Sequence, residues 1–252
     1  MAIKPNPSSH RLEWQLADVK NVVAENHRVK SLILSPSNWP GHIPGQHIDI
    51  RLTAEGGYQA QRSYSIASPP EDALLSITVE RVDGGEVSPY LVEQLRTGDQ
   101  LELRGPIGGY FVWTTALKGP LCLVAGGSGI TPLMAMLRHR QRQANRDPAV
   151  LIYSSRSWED VIYRNELERL ACDDDRLSVV FALTRTQPRN WTGHRGRIDQ
   201  TLLTDAIFPA AQAPAIYICG PDGFVESVSN LLVTLGFDPQ RILTERFGAS
   251  GG

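Results

Sequence analysis

The hydrophobic pattern changes period near residue 115, and that change restricts the chain to a two-part architecture. Before it, apolar residues alternate in short runs: Leu12, Trp14 and Leu16; Ile48, Ile50 and Leu52; Leu75, Ile77 and Val79; Leu101 and Leu103. Turn formers separate them at Pro40-Gly41, Pro44-Gly45, Gly56-Gly57, Gly84-Gly85 and Gly105-Pro106. Alternation of this kind predicts strands with one buried face, and a close series of such strands predicts a small antiparallel β-barrel. From Leu121 onward, short apolar strands alternate with helical segments. Strands are expected over 121–125, 150–153, 177–183, 215–219 and near 241–243, with helices near 132–144, 159–171, 199–203 and 223–235. Strand, helix, strand in that order builds a parallel sheet covered on both faces. The expected domains are an antiparallel β-barrel over 1–115 and an α/β parallel-sheet unit over 116–252, with the boundary near 114–120.

The 252 residues suffice for two cores, and 41% hydrophobic with 21% charged residues is ordinary globular composition. A formal net charge of -2 gives no bulk attraction to nucleic acid or to an anionic membrane. Residues 1–9 lack the apolar core of a signal peptide and no run is long enough to span a bilayer, so a cytoplasmic protein is expected. Cys122, Cys172 and Cys219 lie far apart, too few for a four-cysteine iron-sulfur cluster, and no metal site is expected. Asp173-Asp174-Asp175 reads as a solvated loop.

Several motifs carry chemistry beside that frame. Arg62-Ser63-Tyr64-Ser65 places a fixed cation and an aromatic ring on one side of a strand with hydroxyls nearby, as a clamp for a flavin would; alone, it reads sooner as ordinary barrel surface, and the motifs that follow turn the reading to a clamp. Gly84-Gly85-Glu86-Val87-Ser88 offers backbone amides to a phosphate at the start of a short helix, or is a hairpin turn with Ser88 as a cap. Gly126-Gly127-Ser128-Gly129-Ile130-Thr131-Pro132 follows an apolar strand and opens a helix, with Thr131 expected to cap it. Its spacing is not the dinucleotide fingerprint Gly-x-Gly-x-x-Gly, but it lies where open α/β sheets bind ligands. Ser155-Arg156, Thr184-Arg185 and Arg195-Gly196-Arg197 gather arginines and hydroxyls near strand ends, where an NAD site would want a carboxylate. Such a cluster suits a 2'-phosphate, although any single arginine reads as a solvated charge. Cys219-Gly220-Pro221-Asp222 would let a nicotinamide approach, or hold a buried inert thiol before a turn. Thr244-Glu245-Arg246-Phe247 places an acid and an aromatic near the end, and Phe247 would anchor a strand equally well. Arg138, Arg140 and Arg142 form a basic stretch that would guide an acidic partner or simply be solvated.

In this order, from Leu12 to Phe247, the motifs resemble the ferredoxin-NADP reductase superfamily, which includes cytochrome b5 reductases and the reductase components of bacterial oxygenases. The resemblance implies an FAD-binding barrel followed by an NADP-binding α/β domain. It implies that Arg62, Ser63, Tyr64 and Ser65 bind flavin, that Thr78, Val79 and Glu80 line it mainly by backbone, and that Gly85, Glu86, Val87 and Ser88 hold its pyrophosphate. Gly127, Ser128 and Thr131 would lie between flavin and nicotinamide, and Ser155, Arg156, Thr184, Arg185, Arg195 and Arg197 would bind the nucleotide phosphate. Cys219, Gly220 and Pro221 match the nicotinamide turn, with Ser65, Cys219, Glu245 and Phe247 as the catalytic set. Plant-type members end on the aromatic, whereas this chain continues through 248–252; no fused ferredoxin domain is present in it.

The resulting expectation is an FAD-dependent NAD(P)H oxidoreductase, with NADPH preferred over NADH. Electrons would pass to a separate redox protein: a ferredoxin, a flavodoxin or an oxygenase component. A flavin or quinone reductase and a flavin-binding electron-transfer subunit of a larger complex are the alternatives; arginines at three strand ends speak against the last.

Overall fold

The computed structural model describes residues 12–247, so the expectations for 1–9 and for the 248–252 tail lie outside the described residues. Six strands, β1 (Gln15–Ala24), β2 (Val29–Pro36), β3 (His47–Thr53), β4 (Gln59–Ser65), β5 (Leu75–Glu80) and β6 (Gln100–Ile107), pair antiparallel in the order β4-β3-β6-β1-β2-β5. A bridge between Ile66 and Ile77 brings the two edges together and curls the sheet into a barrel. Ile48, Ile50, Ile77, Val79, Leu101 and Leu103 fill its interior, as period-two alternation requires. The first run departs from that rule. Leu12 and Leu16 are exposed, and Ala17 and Val19 supply the core side of β1. Trp14 precedes the strand and lies under two cations, with the guanidinium carbons of Arg51 and Arg104 at 4.2 and 4.8 Å from its ring centroid. Cation-π contact holds this ring, so its neighbours do not mark an inward face.

The second sheet is parallel: β7 (Leu121–Gly126), β8 (Ala149–Ser155), β9 (Leu177–Leu183), β10 (His194–Arg195), β11 (Ala215–Pro221) and β12 (Ile242–Phe247), in the order β10-β9-β8-β7-β11-β12. Helices α1 (Ile130–Arg142) and α2 (Arg164–Asp173) pack on one face with Leu123, Leu151 and Tyr217, and α3 (Gln200–Ala206) and α4 (Asp222–Thr234) on the other with Cys122, Val150 and Ile216. The α1–α2 face also takes in Val29, Ala67, Phe111 and Trp113, so the barrel and the parallel sheet share a core.

Three local expectations are corrected. Helix α1 begins at Ile130 with no side-chain cap: the 3₁₀ turn Gly127–Gly129 runs straight into it, Gly129 is already helical at φ −60° and ψ −10°, and no extended residue remains to cap. Thr131 sits inside the first turn, its hydroxyl donating to the Ser128 carbonyl at 2.9 Å. Helix α2 starts at Arg164, because Val161, Ile162 and Tyr163 are buried and form an irregular segment. The third concerns the basic stretch of α1, whose arginines are all engaged within the protein. Arg138 pairs with Glu166, Arg140 with Asp174 and Arg142 with Asp72. Asp174 and Asp175 also pair with Arg146, so these two members of the acidic triplet are counter-charges to α1 and the loop after it, while Asp173 ends α2 and pairs with Arg169 within it.

Candidate active site

The end of β4, the middle of β5, the turn after β5 and the last two residues of β12 enclose a cleft of about 430 Å³ at the seam of the two halves. Arg62, Ser63, Tyr64, Ser65, Thr78, Glu80, Gly85, Glu86, Val87 and Ser88 line it from the barrel side; Ser128, Thr131 and Phe247 line it from the parallel sheet. Strand alternation explains the barrel wall. Arg62 and Tyr64 share one side of β4, while the Ser63 hydroxyl donates at 2.6 Å to Asp49, which also accepts from Gln61 and Arg104. Burial raises the Tyr64 phenol above its ordinary range, with the Arg62 cation opposing, so the ring stays neutral and presents an uncharged face.

Ser65 is 4% exposed and, among the described residues, its Oγ has no hydrogen-bond partner. A buried hydroxyl without a partner is costly, and one on a cleft wall fits a ligand that supplies the partner. Across the cleft, Gly84 turns the chain at φ +74°. Beyond it, among the described residues, the Glu86 and Val87 amides donate to no protein acceptor, while Ser88 Oγ accepts from the Val82 amide at 3.0 Å. Glu86 accepts from Tyr58 at 2.6 Å and lies 3.5 Å from the Arg62 guanidinium. An unpartnered hydroxyl, free amides, a cation and an aromatic ring within one cleft fit a flavin with its phosphates. Val79 contributes no side chain to the cleft, since it is fully buried in the barrel core.

The nicotinamide-turn residues meet one another behind this wall. Cys219 is fully buried, its Sγ 3.9 Å from Glu245 Oε2, and Glu245 is its register partner in β12. Burial, reinforced by the Glu245 carboxylate, raises the thiol well above its usual range, so it is a protonated donor and not a nucleophile. Burial also pushes Glu245 up to about 7, with the thiol hydrogen bond opposing. Gly220 has a reason internal to the fold: a side-chain carbon there would lie 2.7 Å from the Phe224 ring. Gly129 is required likewise, as its added carbon would meet the Cys219 carbonyl oxygen at 2.1 Å. The β7–α1 turn is thus pressed onto the end of β11, and Pro221 pairs with Phe247 at the cleft.

The third group gathers at the carboxyl ends of β8, β9 and β10. Ser155 O accepts from the Thr184 amide at 2.9 Å and hydroxyl at 3.2 Å, Arg156 O accepts from the Arg185 and Thr186 amides, and Arg195 stands beside Leu183. Ser155 itself is buried. Arg156, Arg185, Arg195 and Arg197 are exposed and, among the described residues, none forms an ion pair. Sequence reading missed Arg246 and Val82, which also line the cleft, and Tyr163, whose hydroxyl bonds to Thr78. Only the position of Arg246 between Glu245 and Phe247 hinted at its place.

Residues 15–112 match the oxidoreductase FAD-binding domain family and residues 123–230 the oxidoreductase NAD-binding domain family. NADH-cytochrome b5 reductase 1 of Aspergillus oryzae is 31% identical over 249 residues, 94% of this chain and 84% of the relative. The chain belongs to the ferredoxin-NADP reductase superfamily. The glycine betaine monooxygenase reductase subunit of Pseudomonas aeruginosa is 36% identical over 211 residues, 81% of this chain and 56% of the relative. The chain thus spans about half the length of that relative. Among solved structures, the flavohem-like FAD/NAD-binding domain of nitric oxide dioxygenase from Vibrio cholerae O1 biovar El Tor superposes with a TM-score of 0.84 at 27% identity, covering 94% of this chain and all of that one. Both cofactor-binding halves of the superfamily are therefore present in this member.

Proposed function

We propose that this superfamily member oxidises NADPH through bound FAD and passes the electrons singly to a separate redox protein, such as an oxygenase component, a ferredoxin or a flavodoxin. The observation that carries the reading is the seam cleft, with the unpartnered Ser65 hydroxyl on one wall and Ser128, Thr131 and Phe247 on the other. A bound flavin would supply hydride acceptance and one-electron release. The chain's own residues have simpler duties. Arg62 and the amides of Glu86 and Val87 hold the phosphates, Tyr64 stacks, and Ser65 donates its hydroxyl proton to the cofactor. Phe247 covers the face that nicotinamide must reach, and Glu245, poised near 7, keeps or yields a proton beside Cys219 Sγ. Four guanidiniums at the β8–β10 ends, without an ion pair among the described residues, favour a nucleotide carrying a 2'-phosphate. We place a flavin unit over 1–115 and a nucleotide unit over 116–252, a reading that the separate antiparallel and parallel sheets among the described residues support. We assign the protein to the cytoplasm; no helix among the described residues is long and apolar enough to cross a membrane.

The test is direct. The purified protein should release FAD on denaturation, identified by mass, and NADPH added anaerobically should bleach the flavin faster than NADH at equal concentration. Bound FMN, or a flavin that neither nucleotide bleaches, would overturn the reading.

A further inference from the structure

The segment between β8 and α2 crosses from the nucleotide half onto the flavin wall. Val161, Ile162 and Tyr163 are buried although they belong to no helix or strand. Tyr163 adopts φ +57° and ψ +25°, a left-handed conformation uncommon for a bulky residue and worth keeping only where the surroundings demand it. Two contacts fix the segment: the Ile162 amide donates to the Tyr153 hydroxyl at 3.2 Å, and Asn26 in the β1–β2 turn donates to the Asp160 carbonyl at 3.3 Å.

The Tyr163 hydroxyl bonds to Thr78 Oγ1, and Thr78 bonds to Ser31 Oγ at 2.7 Å. Ser31 in turn donates to Glu25 Oε1 at 2.6 Å. Each hydroxyl has one proton, so the terminal carboxylate sets the direction of the whole chain: Tyr163 donates to Thr78, Thr78 to Ser31, Ser31 to Glu25. Arg138 of α1 closes the arrangement from the other side. Its guanidinium carbon lies 4.8 Å from the Tyr163 ring centroid, it pairs with Glu166 at 2.6 Å, and it donates to the carbonyl of Ala67, two residues beyond Ser65, at 2.8 Å. Thr78 and Ser65 both line the cleft. Tyr163 therefore touches the strand behind the cleft without entering it.

We propose that Tyr163 is a positioning residue: its hydroxyl and ring clasp the nucleotide half to the flavin wall and so set the separation of the two cofactors. The proposal rests on the flavin and nucleotide reading above. Hydride transfer falls steeply when reacting atoms are displaced by a fraction of an ångström to an ångström. Loss of the clasp should therefore act on the transfer step, leaving nucleotide affinity little changed.

Tyr163→Phe in the full chain tests this. Wild-type protein that bound no flavin, or was not bleached by NADPH, would refute the parent reading; the remaining measurements address the clasp alone. In the apoprotein, hydrogen–deuterium exchange should rise in peptides covering β5 and residues 158–163. In the FAD-loaded variant, bleaching at saturating NADPH should slow by about tenfold, the long-wavelength charge-transfer absorbance should weaken, and the NADPH dissociation constant should stay within about twofold of wild type. Ser31→Ala, which breaks the next link, should move the same readouts less, and it serves if the tyrosine variant does not fold. Bleaching at the wild-type rate with unchanged exchange, or a fall in nucleotide affinity as large as the fall in rate, would overturn the proposal.

Discussion

Glu245 shows how one residue's surroundings set a measurable property of the chain. Its carboxyl is pushed from an ordinary 4.5 up to about 7 by burial beside Cys219. Between those values the native state holds a proton that the unfolded state has released, so the contribution is fully present below about 4.5 and is lost as pH rises through 7. The loss amounts to about 3 kcal/mol. Urea unfolding of the apoprotein should show stability falling across that window, and Glu245→Gln should flatten the slope; an unchanged slope would mean the carboxyl ionises normally. The cysteines give a second residue-scale prediction. Cys122 and Cys219 are buried, with Cys122 pushed up to about 12, whereas Cys172 is exposed. An aromatic disulfide reagent at pH 8 should titrate one thiol in the native protein and all three in urea. Two or more fast thiols in the native protein would show that β7 or β11 opens readily.

Elements explain both the arginine cluster and what the sequence concealed. β8, β9 and β10 lie side by side, and hydrogen bonds among Ser155, Arg156, Thr184, Arg185 and Thr186 tie together the loops that carry Arg156 and Arg185, neither of which forms an ion pair among the described residues. Arg185→Ala should raise KM for NADPH about tenfold, roughly 1.4 kcal/mol, and leave NADH within about twofold. Equal losses with both nucleotides would make Arg185 structural. The strands of both halves were legible because a buried pleat imposes alternation and a covered parallel sheet imposes apolar runs. Most of the cleft was legible too, since Arg62 to Ser65 and Gly85 to Ser88 are local motifs. The start of α2 was not: Asp160, Val161, Ile162 and Tyr163 are weak helix formers, and the last three are buried in an irregular segment held to the barrel by the Asn26 bond to the Asp160 carbonyl. Tyr163 had no local signature, because its partner Thr78 is 85 residues away. Leu12 and Leu16 misled in the opposite sense, an alternation kept outside the core next to a tryptophan stacked by arginines.

At the scale of the whole molecule, α1 is the beam between two sheets of opposite type. Along it, Arg138 reaches the Ala67 carbonyl, the His139 ring meets Glu71 at 2.7 Å, Arg142 pairs with Asp72 at 2.7 Å, and Gln143 donates to Glu71 at 2.6 Å. The helix's apolar side packs into the core that includes Ala67, Phe111 and Trp113. Two units joined by a shared core and a row of polar contacts should not melt separately, since unfolding either one exposes apolar surface of the other. Calorimetry of the apoprotein should therefore give one cooperative transition, with the van't Hoff and calorimetric enthalpies equal. Arg138→Ala removes the counter-charge of Glu166, the donor to Ala67 and the cation over Tyr163 together. It should cost about 2–4 kcal/mol and broaden the transition or split it into barrel and parallel-sheet components. Arg142→Ala removes a more exposed pair and should cost under about 1 kcal/mol with cooperativity kept. Two transitions in the wild-type protein would show that the halves fold independently and that the contacts along α1 are too weak to couple them.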